Sequence, residues 1–143
     1  MDKSKIKSLG ITILIIILGI VAFSTTDCSA DKLSSDFNQE ELRKAAENVI
    51  MLINNKDTKG LNALCNDKMK ALLTEESMKP IYEVLQDSGK YMLIDDQTML
   101  GTTDKQTKEE FAVVMMRAKY ENKRITYTIN FDKQLKLAGL FYK

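Results

Sequence analysis

The adjacent carboxylates Asp95 and Asp96 are the residues whose type and spacing come nearest to catalytic chemistry. In a pocket, a carboxylate can act as a general base while a tyrosine hydroxyl donates a hydrogen bond to the developing charge. The tyrosines that could supply this hydroxyl are Tyr91, Tyr120 and Tyr127. Consecutive acidic residues more often mark an exposed turn. We therefore expect the pair to lie in a solvated loop at the end of the first strand.

The composition argues against several other kinds of catalytic site. The chain contains no histidine, and serine or cysteine triads and most zinc sites depend on an imidazole. One acidic pair also lacks the alternating ligands of a calcium-binding loop. We therefore predict a non-catalytic protein without a metal site or cofactor. The alternative is a small pocket enzyme of isomerase or dehydratase type that uses Asp95 or Asp96.

Two basic residues, Arg117 and Lys119, lie on one face of a predicted strand and could receive an anionic ligand at a pocket mouth. A strand end that emerges into solvent is the more ordinary explanation. Methionines in the same half of the chain suit either an adaptable apolar pocket or an irregular core. The candidate ligand-binding residues are thus Asp95, Asp96, Tyr91, Arg117 and Tyr120.

The N-terminal residues have the pattern of a membrane-targeting segment. Lys3, Lys5 and Lys7 precede an apolar run over residues 9–23 that carries no charge. Residues 24–26 extend this run to a marginal membrane span, since a spanning helix needs about 20 apolar residues. The lysines hold the N-terminus in the cytoplasm. The rest of the chain is therefore predicted to lie outside the cytoplasmic membrane, at the cell surface or secreted.

Three fates are open for residues 1–30. Small residues at the end of the segment allow signal-peptide cleavage, which would release the chain. Without cleavage, residues 9–26 would remain as a single-pass membrane anchor. Lipidation at Cys28 is the third fate, although Thr25 and Asp27 depart from the residues that a lipoprotein site prefers.

Apolar periodicity predicts that residues 38–143 form one domain after a polar tether at residues 31–37. Asn38 is the predicted N-cap of a first helix that ends near Asn55, with Glu41 completing a capping box. Its predicted apolar face comprises Leu42, Ala45, Ala46, Val49, Leu52 and Ile53.

Two further helices are predicted before the strands begin. A short helix carries Leu61, Leu64 and Cys65, and a longer one runs over residues 74–86. Pro80 is unfavourable inside a helix, so this last helix either begins late, with Ser77 as its cap, or is kinked. Cys65 beside two leucines is predicted to be a small buried hydrophobic residue.

From residue 90 onward the apolar pattern has a period of two, which predicts about four antiparallel strands. The clearest strand alternates Ile125, Tyr127, Ile129 and Phe131 with polar residues. Helices followed by strands indicate an α+β fold with the helices packed on one sheet face. We expect Ile125, Tyr127, Ile129 and Phe131 to meet the first helix and to fill the interior.

Without residues 1–30, the basic and acidic residues are equal in number. A neutral domain lacks the electrostatic footprint of a nucleic-acid-binding protein. The predicted partners are therefore the membrane, through residues 9–26, and either a protein or a small apolar ligand.

Several short segments carry a family resemblance, namely Ala46-Glu47-Asn48-Val49-Ile50, Met69-Lys70-Ala71-Leu72-Leu73-Thr74, Tyr120-Glu121-Asn122 and residues 129–140. Through them the chain resembles the bacterial family called domain of unknown function 3887. The helix and strand order also resembles the nuclear transport factor 2-like (cystatin-like) superfamily. These resemblances imply a curved sheet that wraps a long helix into a cone, and a secreted or surface location. They carry over no catalytic residue.

Overall fold

The structure is a computed structural model that describes residues 31–143. Within these residues the chain forms four helices and one sheet of four antiparallel strands. The helices are α1 (Gln39–Asn54), α2 (Thr58–Leu64), α3 (Asp67–Lys70) and α4 (Glu75–Ser88). The strands are β1 (Tyr91–Thr103), β2 (Glu110–Tyr120), β3 (Arg124–Phe131) and β4 (Leu137–Tyr142). This confirms the predicted α+β fold.

The predictions for the targeting segment, its cleavage and the lipidation of Cys28 concern residues that lie outside the described part of the chain. Among residues 31–143, no helix is both long and apolar enough to cross a bilayer.

Helix α1 begins where the sequence predicts. The Asn38 side chain accepts hydrogen bonds from the backbone N–H groups of Glu40 and Glu41, which satisfies two donors that a helix start leaves free. The buried face of α1 comprises Leu42, Ala46, Val49, Ile50 and Ile53. This face is rotated from the predicted one, because Ile50 is buried while Ala45 and Leu52 are half-buried.

Helix α1 ends in a Schellman motif. The N–H of Asp57 donates to Leu52 O, and the N–H of Lys56 donates to Ile53 O, so carbonyls of the last turn find partners. Lys56 occupies the left-handed position with a φ of 54°. Asn55, near which the helix was predicted to end, is right-handed, so the left-handed residue of the turn is the next one along the chain.

The connection between α1 and α4 contains one more helix than predicted. Asn66 caps the single-turn helix α3 by accepting from Met69 N–H. The side chain of Asn62 on α2 donates to the carbonyls of Lys70 and Leu73. These bonds stabilise α3. Its four residues cover about one helical turn, which is too short for an apolar periodicity to be recognised in the sequence.

Helix α4 begins at Glu75, with Thr74 as its N-cap. Ser77, the alternative predicted cap, is instead the third helical residue and forms a reciprocal capping box with Thr74. Pro80 lies inside the helix. The capping box satisfies the first turn, so the helix forms despite the hydrogen bond that Pro80 cannot donate.

The four strands form a meander in the order β1-β2-β3-β4. One sheet face, called the inner face here, packs on the helices and carries the buried residues Ala112, Val114, Met116, Ala118, Ile125, Tyr127, Ile129 and Phe131. Helix α1 packs against β2 and β3. The opposite face is called the outer face. The phase predicted for β3 is confirmed because its inner residues are all less than 3% exposed.

The first strand differs from its prediction. β1 runs from Tyr91 to Thr103, and its pairing with β2 shifts register between Tyr91 and Leu93 and again between Ile94 and Asp96. Such bulges insert an extra residue and re-aim side chains without ending the strand. Asp95 and Asp96 therefore lie within β1, and the prediction of a loop for this pair is wrong.

Residues 31–37, predicted as a polar tether, pack on the domain. Asp31 pairs with Gly101 at the free edge of β1 through two backbone hydrogen bonds of 3.1 and 2.8 Å. A Cβ atom at Gly101 would lie only 2.6 Å from Lys32 O, so glycine permits this close approach. Phe37 is buried in the core. The chain thus enters the domain at the Gly101 end of β1.

Candidate functional site

On the outer face, Asp95 lies between two arginines from neighbouring strands. Its carboxylate oxygens accept from Nε of Arg117 on β2 and Nε of Arg124 on β3, each at 2.7 Å. Only 19% of the Asp95 side chain is exposed. Asp96 lies 3.7 Å from Nη1 of Arg117, and its side chain is 59% exposed. One carboxylate therefore links three strands, while its neighbour faces solvent.

This arrangement makes Asp95 a poor general base near neutral pH. Hydrogen bonds from Arg124 and Arg117 hold the pKa of the Asp95 carboxyl below its usual value, whereas a useful base has a pKa near the working pH. Arg117 alternates along β2 with Met116 and Ala118, which are buried against the helices. The Asp95 cluster therefore lies on the face opposite the candidate tyrosines.

On the inner face, two tyrosine hydroxyls and one amide form a hydrogen-bonded chain. Tyr120 Oη donates to Oδ1 of Asn54 at 2.7 Å, and the hydroxyls of Tyr120 and Tyr127 lie 2.8 Å apart. Because the Tyr120 proton is used on Asn54, Tyr127 donates to Tyr120. The chain thus runs from Tyr127 through Tyr120 to the last residue of α1.

Burial keeps these hydroxyls neutral. Desolvation raises the pKa of Tyr120 above its usual value, and it raises the pKa of Tyr127 further, because removing a phenol from water disfavours its anion. The ring of Tyr91 packs edge-on against Tyr120 with a centroid distance of 5.8 Å. These tyrosines can donate hydrogen bonds and offer aromatic surface, but they are poorly suited to act as bases.

Beside this chain lies a pocket of about 230 Å³, called the mouth pocket here. It lies where α1 and α4 end and β1 begins, and it is lined by Asn54, Lys56, Leu85, Gln86, Gly89, Lys90, Tyr91 and Tyr120. Nδ2 of Asn54 is buried and has no hydrogen-bond partner among the described residues. Buried polar atoms nearly always have a partner. Among the described residues, Asn130 Oδ1 and Tyr142 Oη also lack one, and of the three residues Asn54 is the one that lines this pocket.

Charged groups surround the mouth pocket unevenly. Lys56 and Lys90 line it, and within residues 31–143 neither ammonium has an ion-pair partner. The Glu121 side chain accepts from Lys90 N–H at 2.8 Å and lies beside Gly89. Gly89 has a φ of 78°, a conformation that glycine adopts without strain. Two cations and one anion therefore border the pocket.

The structure divides the residues predicted from the sequence into two groups. Tyr91 and Tyr120 come together at the mouth pocket. Asp95, Asp96 and Arg117 come together on the outer face. Asn54 and Lys56 could not be recognised from the sequence beyond their place near a helix end. Asn54 meets Tyr120, which lies 66 positions further along the chain, and Lys56 reaches the pocket only through the fold.

A second hollow of about 310 Å³ lies between the start of α1 and the middle of β1, lined by Gln39, Glu40, Arg43, Gln97 and Met99. Arg43 is already paired with Glu40 and Glu47 at 2.6 Å, so its guanidinium has little capacity left to bind a ligand in this hollow. Among residues 31–143, no group of three or more possible ligand side chains could hold a metal ion.

The fold and the pocket define a small α+β domain in which helices pack on one face of an antiparallel meander. The sequence model of the family described as "Protein of unknown function (DUF3887)" matches residues 46–140. The match covers more than half of the chain, and the chain therefore belongs to this family, which confirms the resemblance noted from its segments.

Among solved structures, the chain is similar to "NMR structure of protein from Ruminococcus gnavus ATCC 29149". The two share 23% sequence identity with a TM-score of 0.70, over 78% of this chain and 96% of that chain. At this identity the likeness shows the fold alone. The curated proteins give no match. Membership of the nuclear transport factor 2-like superfamily, with its cone-shaped sheet, stays a prediction.

Proposed function

We propose that the protein is a non-catalytic binding domain that acts outside the cytoplasmic membrane and takes a small ligand in the mouth pocket. The observation that carries this proposal is the unpartnered Nδ2 of Asn54 beside the pocket. Leaving a buried donor unpaired costs about 1–3 kcal/mol. A ligand acceptor that reaches this amide would recover part of that cost, so the site has bonding capacity to offer.

Other features support binding rather than chemistry at this site. The residues that line the pocket include Tyr91, Tyr120 and Leu85, and ligand sites typically combine apolar residues with a few placed polar groups. The tyrosine hydroxyls are engaged with each other and with Asn54. Desolvation raises the pKa of Tyr120 and of Tyr91 above the usual value, which moves both hydroxyls further from the pKa of a base that works near neutrality.

The geometry gives no support to an isomerase or dehydratase that uses Asp95 or Asp96. Such a mechanism needs a carboxylate and a tyrosine hydroxyl on the same substrate. Asp95 is instead ion-paired on the outer face, and the tyrosine chain lies on the inner face. The sheet itself separates the two groups.

The location outside the membrane rests on the N-terminal sequence. Lysines followed by the apolar residues 9–26 favour export with the C-terminal part outside. Fractionation of cells and protease treatment of intact cells test this, with residues 31–143 expected to be accessible from outside. A full-length product found only in the cytosol would contradict it. The intact mass of the mature protein would distinguish cleavage, retention and lipidation of Cys28.

Native mass spectrometry of the purified protein tests the ligand. We expect bound small molecules, or hits from a fragment library, on the unmodified protein and fewer on an Asn54→Leu variant. Asn48 is an exposed asparagine on the same helix, so Asn48→Leu is the matched control and should bind as the unmodified protein does. Equal binding by both variants would contradict the mouth pocket as the site. Exposed Met92 and Leu93 then become the place to seek a protein partner.

A further inference from the structure

The mouth pocket has more unpaired hydrogen-bond donors and positive charges than unpaired acceptors and negative charges. Lys56 and Lys90 line it, and within residues 31–143 neither ammonium has an ion-pair partner. Nδ2 of Asn54, another lining residue, is buried without a partner. The carboxylate of Glu121 stands at the rim but already accepts the N–H of Lys90. A ligand that brings oxygen acceptors and negative charge would therefore meet more partners than a neutral or cationic one.

Lys56 is held at the pocket by a backbone conformation that favours glycine. Its φ of 54° is left-handed, which crowds the Cβ of any residue except glycine. Two other residues share a positive φ, Lys108 and Leu135, and both lie in connections between strands. Lys56 differs from them because it lines a pocket, where a glycine would offer no charge.

The volume of the pocket and the residues that line it limit the size and polarity of the rest of the ligand. A volume of about 230 Å³ is below the roughly 300–1,000 Å³ of sites for drug-sized molecules. Leu85 and the faces or edges of Tyr91 and Tyr120 provide apolar contact. The ligand that fits has one charged end and a compact apolar part.

We infer that the mouth pocket binds a small organic oxyanion, whose charged oxygens meet Asn54, Lys56 and Lys90 while its apolar part lies against Tyr91, Tyr120 and Leu85. This inference rests on the proposed binding function and names the ligand class for it.

The position of the pocket favours a soluble anion over a lipid headgroup of the same chemistry. The chain enters the domain at Asp31, which pairs with Gly101. The pocket lies at Tyr91, ten residues away along β1, which is about 30 Å at the rise of a strand. A membrane anchor that precedes Asp31 would therefore attach at the end of β1 far from the pocket.

Three probes with the same ring test the charge preference: benzoate, benzamide and benzylamine. They are added to the ¹⁵N-labelled mature protein, in an uncharged detergent if the N-terminal segment is retained, and amide shifts are followed by NMR. We expect benzoate to shift the Asn54 side-chain amide and the backbone amides of Lys90 and Tyr120 at the lowest concentrations. Benzamide should bind more weakly, and benzylamine most weakly.

Two charge variants should change benzoate affinity in opposite directions. A loss of folding could only weaken binding, so it cannot explain both results. Lys90→Gln should weaken benzoate binding about two- to fivefold, the range for one exposed ion pair. Glu121→Gln keeps an oxygen that can accept the Lys90 N–H but removes a negative charge, so it should strengthen binding. Lys79→Gln, at an exposed residue of α4 outside the pocket, should leave benzoate affinity unchanged.

The outcomes separate this inference from the proposed function. If benzamide or benzylamine binds at these residues as tightly as benzoate, the pocket is a ligand site but the oxyanion inference is overturned. If none of the three probes shifts residues of the mouth pocket, both are overturned. Vesicles of phosphatidylglycerol and phosphatidylcholine that displace benzoate would overturn the preference for a soluble anion.

Discussion

The hydroxyls of Tyr120 and Tyr127 lie 2.8 Å apart in the interior, on strands β2 and β3, and only the first of them reaches a helix. Tyr120 therefore connects the sheet to the end of α1 by accepting from Tyr127 and donating to Asn54. Each hydroxyl is buried, so the loss of one member leaves its neighbours without partners. The same connection places Asn54 at the mouth pocket.

Replacing Tyr120 with phenylalanine should lower the free energy of unfolding by about 1–3 kcal/mol, because the Tyr127 hydroxyl and Asn54 Oδ1 lose their partner. Chemical denaturation measures this. Tyr82→Phe is the matched control, since Tyr82 makes a single buried bond of 2.8 Å to the Thr58 hydroxyl. We expect the Tyr120 change to cost more, and an equal or smaller cost would contradict a connected chain.

Ile129→Ala tests the packing of the inner face. Ile129 is fully buried in β3 opposite Val114 of β2, and truncating such a side chain costs about 2–5 kcal/mol. The neighbouring Thr128 points to the outer face and is half-buried, so Thr128→Ala should cost less. A loss below about 0.5 kcal/mol for Ile129→Ala would contradict its contribution to the core.

The stabilisation that Asp95 provides should be lost in acid. The arginines beside it lower the pKa of its carboxyl in the folded protein, so the unfolded chain binds the proton more readily. The stabilisation is present above the unfolded pKa of about 3.9 and is lost as the pH falls through the lower folded pKa. Thermal unfolding between neutral and strongly acidic pH should show a smaller acid-dependent decrease for Asp95→Asn.

The matched control for this pH dependence is Asp96→Asn, whose carboxylate is exposed and lies 3.7 Å from Arg117. Its melting temperatures should follow those of the unmodified protein more closely across the pH range. If both variants lose the same part of the acid dependence, the two arginine bonds of Asp95 are not its cause.

Lys56→Gly should stabilise the domain while it weakens ligand binding. Glycine relieves a left-handed residue by roughly 1–2 kcal/mol, and its greater freedom in the unfolded chain offsets about 0.4–1 kcal/mol of this gain. Lys108→Gly, at a φ of 62°, should give a similar gain and leave benzoate affinity unchanged. Equal effects of the two variants on affinity would contradict a role for Lys56 in the pocket.

Cys65 should be unreactive in the folded protein. Burial raises the pKa of its thiol to about 11, and its side chain is 1% exposed, so the reactive thiolate is scarce and inaccessible at neutral pH. Iodoacetamide labelling, followed by mass mapping of the peptide that contains Cys65, should be slow until denaturant is added. Rapid labelling in native buffer would contradict this burial.

Local patterns in the sequence were sufficient for most of the elements, although they missed α3 and placed Asp95 and Asp96 in a loop. The cap at Asn38 and the alternation of Ile125, Tyr127 and Ile129 depend on residues within a few positions of each other. Backbone hydrogen bonding and the two periodicities act over the same short range, which is why the α+β class and the inner face of β3 could be predicted. The family could also be recognised from short segments.

The sites were decided by contacts between residues distant in the sequence. The bulges of β1, which keep Asp95 in a strand and turn it toward Arg117 and Arg124, depend on the register with β2. The mouth pocket depends on Tyr120 meeting Asn54 across 66 positions. The sequence by itself determined most of the helices and strands, because those interactions are local, whereas the strand conformation of Asp95 and Asp96 depended on the pairing of β1 with β2. Only the tertiary structure decided which polar groups share a face and which donor is left without a partner, because that depends on how the elements pack.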